Sequence, residues 1–135
     1  RMKKRLEHRI PLTPEVLSLL KIMREISVNR EFVFPADRDP KKSTNSQTAN
    51  MALKRMGFEG RLVSHGLRSI ASSTLNESGF ESDLIEAALA HIGANEIRRA
   101  YNRTDYIERR RPMMSWWSKL IVDASRGSFS LTRLI

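Results

Sequence analysis

Four side chains in this sequence have types and spacings that point to phosphate chemistry. The run Ser64-His65-Gly66-Leu67-Arg68 sets a histidine and an arginine three residues apart at the start of an expected helix. That spacing puts both on one helical face. A phosphate placed there would meet a guanidinium fork, an imidazole and the free N–H groups of a helix N-terminus. The plainer alternative is a capping histidine beside a solvated arginine. His91 follows Leu89-Ala90, where a helix is expected to meet a turn at Ile92-Gly93-Ala94; alone it also reads as a packed or capping histidine. Tyr101 lies ten residues further on, between Arg98-Arg99 and Arg103. Neighbouring cations lower the cost of a phenolate and attract phosphate, so this tyrosine suits nucleophilic attack. It also suits simple stacking on a base.

The elements that must carry these residues read as mostly helical. Residues 5–12 are expected as a strand, the second half of a hairpin turning near Lys3 to Glu7. Thr13-Pro14-Glu15 announces a helix, with a capping hydroxyl, a proline suited to the first position and an acid in the first turn. Val16, Leu19, Leu20 and Met23 then give that helix an apolar face. Phe32-Val33-Phe34-Pro35 reads as a buried extended piece, and 36–44 as a polar surface loop. A helix over 46–56 is followed by a break at 57–61 with two glycines. Ser64 is expected to cap a helix to about Glu77, with Leu67, Ile70, Ala71 and Leu75 inward and Gly79 ending it. A further helix starts at Ser82-Asp83, and a short one spans 95–101. The last begins near Thr104, where Pro112 is expected to kink or split it. On that helix Ile107, Met114, Trp117 and Ile121 form one stripe, so the Met113, Met114, Trp116, Trp117 cluster reads as core.

Composition narrows the partners. The 135 residues are 40% hydrophobic, enough for one domain with a core, and no apolar run approaches the length of a membrane span. The formal net charge of +9 and the pI near 10.6 call for a polyanion, and nucleic acid is the obvious one. The absence of cysteine removes disulfides, thiol catalysis and thiolate zinc sites, and fits a cytosolic protein. No carboxylate or histidine cluster invites a metal, and no cofactor is expected. The basic start leads into no signal-peptide core. Basic residues crowd two stretches: Arg1, Lys3, Lys4, Arg5 and Arg9, and then Arg98, Arg99, Arg103 and Arg109-Arg110-Arg111. The chain begins with Arg1, which leads us to expect a piece of something longer.

Taken together, the HxxR motif, the later histidine and the tyrosine in an arginine-rich segment resemble the tyrosine recombinases, in their order and spacing. The nearest resemblance is to the prophage and pathogenicity-island integrase branch. It extends through Asp105-Tyr106, Arg109-Arg110-Arg111, Met113-Met114 and Trp116-Trp117, and includes Arg1-Met2-Lys3-Lys4 leading to Ile10-Pro11-Leu12. It spans about residues 1–123.

The resemblance implies a mainly α (α+β) catalytic domain of the DNA breaking-rejoining type, with a small β element at its start. Residues 1–124 would be part of that domain, truncated on its N-terminal side, and 125–135 a tail that docks on a neighbouring protomer. It implies that Tyr101 attacks the scissile phosphate and forms a 3′-phosphotyrosyl link. Arg68 would clamp the non-bridging oxygens, and His65 and His91 would hydrogen-bond the phosphate. Lys3 would protonate the leaving 5′-oxygen, with Lys4 as its rival. Lys4, Arg5, Arg98, Arg99 and Arg103 would contact DNA. Tyr106 is a less well spaced alternative nucleophile. The implied setting is double-stranded DNA in the bacterial cytoplasm, at the nucleoid, with a homotetramer in synapsis and accessory DNA-bending or excision proteins. The family's first catalytic arginine belongs upstream of the lysine, and no residue of this sequence fits it in order. The isolated chain is therefore expected to cleave weakly or not at all. The competing reading is a non-catalytic, basic, helical DNA-binding module.

Overall fold

The computed structural model describes residues 8–28, 30–90 and 106–127. Five α-helices account for most of them: α1 (Pro14–Ser27), α2 (Thr48–Leu53), α3 (Gly66–Glu77), α4 (Ser82–Ala88) and α5 (Ile107–Ser125). This bears out a mainly helical chain. The described part of the expected first strand, residues 8–12, has no strand pairing, and the rest of it lies outside the described residues. The chain divides into two units, one formed by residues 14–70 and the other by the residues before and after them.

In the unit of residues 14–70, α1 starts at Pro14 as expected, since that position needs no N–H. Its inward line is narrower than the sequence implies. Leu20 and Met23 are half-buried and Ser27 buried, whereas Val16 and Leu19 are exposed. Phe32 to Pro35 also departs from expectation. Val33 and Phe34 are exposed, and Pro35 makes an isolated antiparallel bridge to Ser43. The bonds Ala36 N–H to Lys42 C=O (2.8 Å) and Thr44 N–H to Phe34 C=O (2.8 Å) close the polar loop between them. A single bridge cannot form a ladder, so these apolar residues flank a loop rather than enter a sheet. Helix α2 runs on into a turn over Lys54–Phe58 that is kinked at Gly57, with φ 87°.

The second unit contains the core. Leu75 of α3, Leu84 and Ile85 of α4, and Met113 of α5 are buried together, with Phe80, Leu89, Tyr106, Trp116 and Trp117 packed around them. Phe80 meets Trp116 edge-on at 5.2 Å. The turn from α3 to α4 is set by Gly79 at φ 79°. Its N–H bonds the Asn76 carbonyl (3.0 Å) and the Phe80 N–H reaches back to Leu75 (3.1 Å). This paired closure needs a left-handed residue, which only glycine adopts cheaply. Of the inward positions expected on α3, Ala71 and Leu75 are buried, but Leu67 and Ile70 are exposed.

Helix α5 is continuous through Pro112 for 19 residues, so the expected split does not occur. The proline stands at the sixth position, where its missing N–H leaves only the Glu108 carbonyl without its helical donor. The buried stripe on α5 is also shifted. It runs through Arg110, Met113 and Ser118, with Met114 and Trp117 half-buried and Ile121 exposed. Ser118 Oγ lies 2.9 Å from Thr13 Oγ1, both buried. Truncating Ile85, which has no exposed surface, removes the centre of the cluster. Ile85→Ala is expected to lower the unfolding free energy by about 2–5 kcal/mol in chemical denaturation, whereas Ile121→Ala should change it little.

Candidate functional site

The turn that carries the HxxR pair is built from α2 as much as from α3. Helix α3 begins at Gly66, two residues after the expected cap. The Ser64 N–H donates to Asn50 Oδ1 at 2.8 Å, which ties the turn to α2. Asn50 is held in turn, since its amide nitrogen donates to Gln47 Oε1 at 3.1 Å. Gly66 N–H bonds the Val63 carbonyl (2.8 Å) and Arg68 N–H bonds the His65 carbonyl (3.1 Å), so the pair enters the helix through a tight first turn. A Cβ at Gly66 would lie 3.3 Å from Leu62 Cδ1, which accounts for glycine between the histidine and the arginine.

His65 is exposed just before α3, and Arg68 is half-buried in its first turn. An exposed imidazole and a guanidinium at the positive end of a 12-residue helix can together receive a phosphate oxygen. Lys3, Lys4, Arg5, His91, Arg98, Arg99, Tyr101 and Arg103 lie outside the described residues. Tyr106, the alternative nucleophile, is described. It is half-buried against the core at the start of α5, at φ 46°, with the Arg109 guanidinium 5.3 Å from its ring centre. It is therefore engaged in packing.

The Arg109-Arg110-Arg111 run is not one basic patch. Arg109 Nη2 binds both carboxylate oxygens of Glu81, at 2.6 and 2.7 Å. Arg111 Nε donates to Glu108 Oε2 at 2.8 Å. That hydrogen bond holds the Glu108 carboxyl below its usual range and raises Arg111 above its own. The pair's contribution is therefore present above the ordinary glutamate range and lost as the pH falls through the lowered value. Arg110 is 1% exposed. Its Nη1 donates to the Ala87 carbonyl (3.1 Å) and its Nη2 to the Arg9 carbonyl (2.5 Å). His8 Nε2 lies 2.9 Å from the same Ala87 oxygen.

Sequence reasoning missed Asn50 and Arg110. Nothing in the sequence distinguishes Asn50 from any other polar residue on the outer face of a helix. Arg110 did leave a signal, because it stands three residues after Ile107, at a helical spacing that keeps it on the apolar stripe, where a solvated arginine does not belong. Among the described residues no group of histidine, aspartate and glutamate could hold a metal, and no helix is long and apolar enough to cross a membrane.

Comparison with known proteins matches residues 1–108 to the model of the phage integrase family. The chain is 57% identical over 134 residues to the prophage integrase IntA of Escherichia coli K12, covering 99% of this chain and 32% of that protein. It is 37% identical to the integrase of Enterobacteria phage P4, over 95% of this chain and 30% of that one. The integrase of Shigella phage Sf6 is 36% identical over 87% of this chain and 31% of its own length. No solved structure matches. The chain belongs to the phage integrase family, and it spans about a third of the length of the curated relatives it matches.

Asn50→Ala removes the acceptor of the Ser64 N–H and is expected to cost about 1–3 kcal/mol in thermal or denaturant unfolding. Asn50→Asp retains the acceptor and should recover most of that loss.

Proposed function

We propose that this chain supplies catalytic residues for site-specific DNA recombination, as in the integration and excision of a prophage or genomic island. The observation that carries the reading is the order Lys3, His65, Arg68, His91, Tyr101, all within the stretch matched by the phage integrase family. The placing of Arg68 in the first turn of α3, one turn from exposed His65, supports it.

In this proposal the Tyr101 phenol oxygen attacks the scissile phosphorus. The bond to the 5′-oxygen breaks as the bond to the tyrosine forms. Arg68 stabilises charge on the non-bridging oxygens, with hydrogen bonds from His65 and His91. Lys3, or Lys4 in its place, gives the leaving 5′-oxygen its proton, and the proton lost by Tyr101 passes through His65. The phosphotyrosyl diester preserves the energy of the broken bond, so a 5′-hydroxyl of another strand reverses the step without a cofactor. Lys4, Arg5, Arg98, Arg99 and Arg103 bind the backbone of double-stranded DNA, a contact that weakens with salt. The assembly is a homotetramer on paired sites in the bacterial nucleoid, helped by accessory DNA-bending or excision proteins, with residues 125–135 docking on a neighbouring protomer. The first catalytic arginine implied by the resemblance has no counterpart among these residues, so cleavage by the 135 residues alone is slow.

Long incubation with nicked suicide substrates traps even slow cleavage as a covalent adduct. The adduct should map to Tyr101 by mass spectrometry, vanish in Tyr101→Phe and persist in Tyr106→Phe. Lys3→Ala should slow it by about 10²–10⁴-fold. DNA binding with no adduct at any tyrosine would instead favour a non-catalytic binding module. Removing 125–135 should abolish synaptic tetramers in native gels while DNA binding remains; unchanged assembly would refute the docking role.

A further inference from the structure

We infer that Arg110 is a positioning residue for the reaction, a buried clip that fixes the ends of the segments bearing Lys3, His91 and Tyr101. The inference rests on the recombinase reading above and adds a residue to it. Arg110 itself touches neither DNA nor a reacting atom in this scheme.

The clip joins three places in one unit of the chain. From α5, nine residues after Tyr101, the Arg110 guanidinium holds the carbonyl of Ala87, four residues before His91. The same guanidinium holds the carbonyl of Arg9, six residues after Lys3. Residues 91–105, which carry His91 and Tyr101, therefore leave one end of the clip and return to the other. The segments that carry Lys3, His91 and Tyr101 each meet the fold within a few residues of this single side chain. His8 adds a second contact to the Ala87 oxygen, so the N-terminal segment is joined to α4 directly as well as through Arg110.

Two features indicate that these junctions are held in place rather than merely adjacent. Ala90 and Tyr106, the last described residue before 91–105 and the first after it, have φ of 49° and 46°. A left-handed conformation strains an alanine or a tyrosine, so it persists only where the surroundings enforce it. The neighbouring Arg109 grips Glu81, ahead of α4, while Arg110 grips Ala87 in its last turn. Consecutive arginines thus hold both ends of a seven-residue helix. The Arg109 pair is exposed and contributes little stability. The Arg110 side chain is buried, and a rigid fork fixes the separation of the two carbonyls as a flexible ammonium would not.

The test uses Arg110→Lys, which keeps the charge and loses the fork. Arg110→Met, of similar volume and uncharged, serves if the lysine variant does not fold. Hydrogen exchange should quicken in residues 84–90 and 106–112 and stay unchanged in α1. On the suicide substrate the first-order rate of adduct formation should fall about 10²-fold, the scale expected for a misplacement of about 1 Å, with DNA affinity unchanged. Unchanged exchange at those flanks would overturn the clip. Faster exchange with an unchanged adduct rate, or a rate loss matched by loss of folded protein or DNA affinity, would overturn the positioning role. If the unsubstituted chain forms no adduct, the recombinase reading fails, and with it the positioning role; the exchange measurement still decides whether the clip exists.

Discussion

A guanidinium taken out of water must be hydrogen-bonded, and much of one unit of this protein follows from how Arg110 meets that demand. Burying an isolated cation is costly, and arginine cannot escape by losing its proton. Two of the three nitrogens of Arg110, Nη1 and Nη2, are turned to main-chain carbonyls, at Ala87 and Arg9. Carbonyls do not neutralise the charge, but they accept hydrogen bonds from the two terminal nitrogens. They also make the arrangement specific, since those carbonyls exist at that spacing only when α4, α5 and the N-terminal segment are in register. The apolar cluster of Leu75, Leu84, Ile85 and Met113 supplies the driving force, and the arginine narrows the ways in which it can pack.

The HxxR turn depends on a different and weaker device. There a single side-chain acceptor, Asn50 Oδ1, takes the Ser64 N–H, while Gly66 lets the helix start close to Leu62. Arg68 is thereby fixed by its backbone and His65 remains exposed. In the proposed recombinase such a division would suit a site whose arginine must be in place before substrate arrives and whose histidine adjusts to it.

Much of this was legible in the sequence. Thr13-Pro14-Glu15 marked the start of α1, Ser82-Asp83 that of α4, and Gly79 the end of α3, because a proline at a helix start and a glycine just past a helix end act through the local backbone. Burial was less legible. Leu19, Leu67, Ile70 and Ile121 lie on faces that periodicity marks as inward, yet they are exposed. Periodicity tells which residues share a side of a helix, not whether anything covers that side. The Phe32–Pro35 run was misread for a related reason, as an extended apolar stretch becomes a sheet strand only if a partner strand exists. The HxxR motif was legible from its residue types, but the amide that steadies it was not, since Asn50 and Ser64 are brought together only by the turn of the chain after α2.

The division of labour within Arg109-Arg110-Arg111 also bears on the thermodynamics of any polyanion complex. A formal charge of +9 suggests many cations free to displace counterions. Arg110 can displace none, because it is enclosed. Arg109 and Arg111 must each surrender a carboxylate before meeting a phosphate. The dependence of binding on ionic strength should therefore be shallower than the arginine count implies, and a titration against salt would report how many of these cations the fold leaves uncommitted.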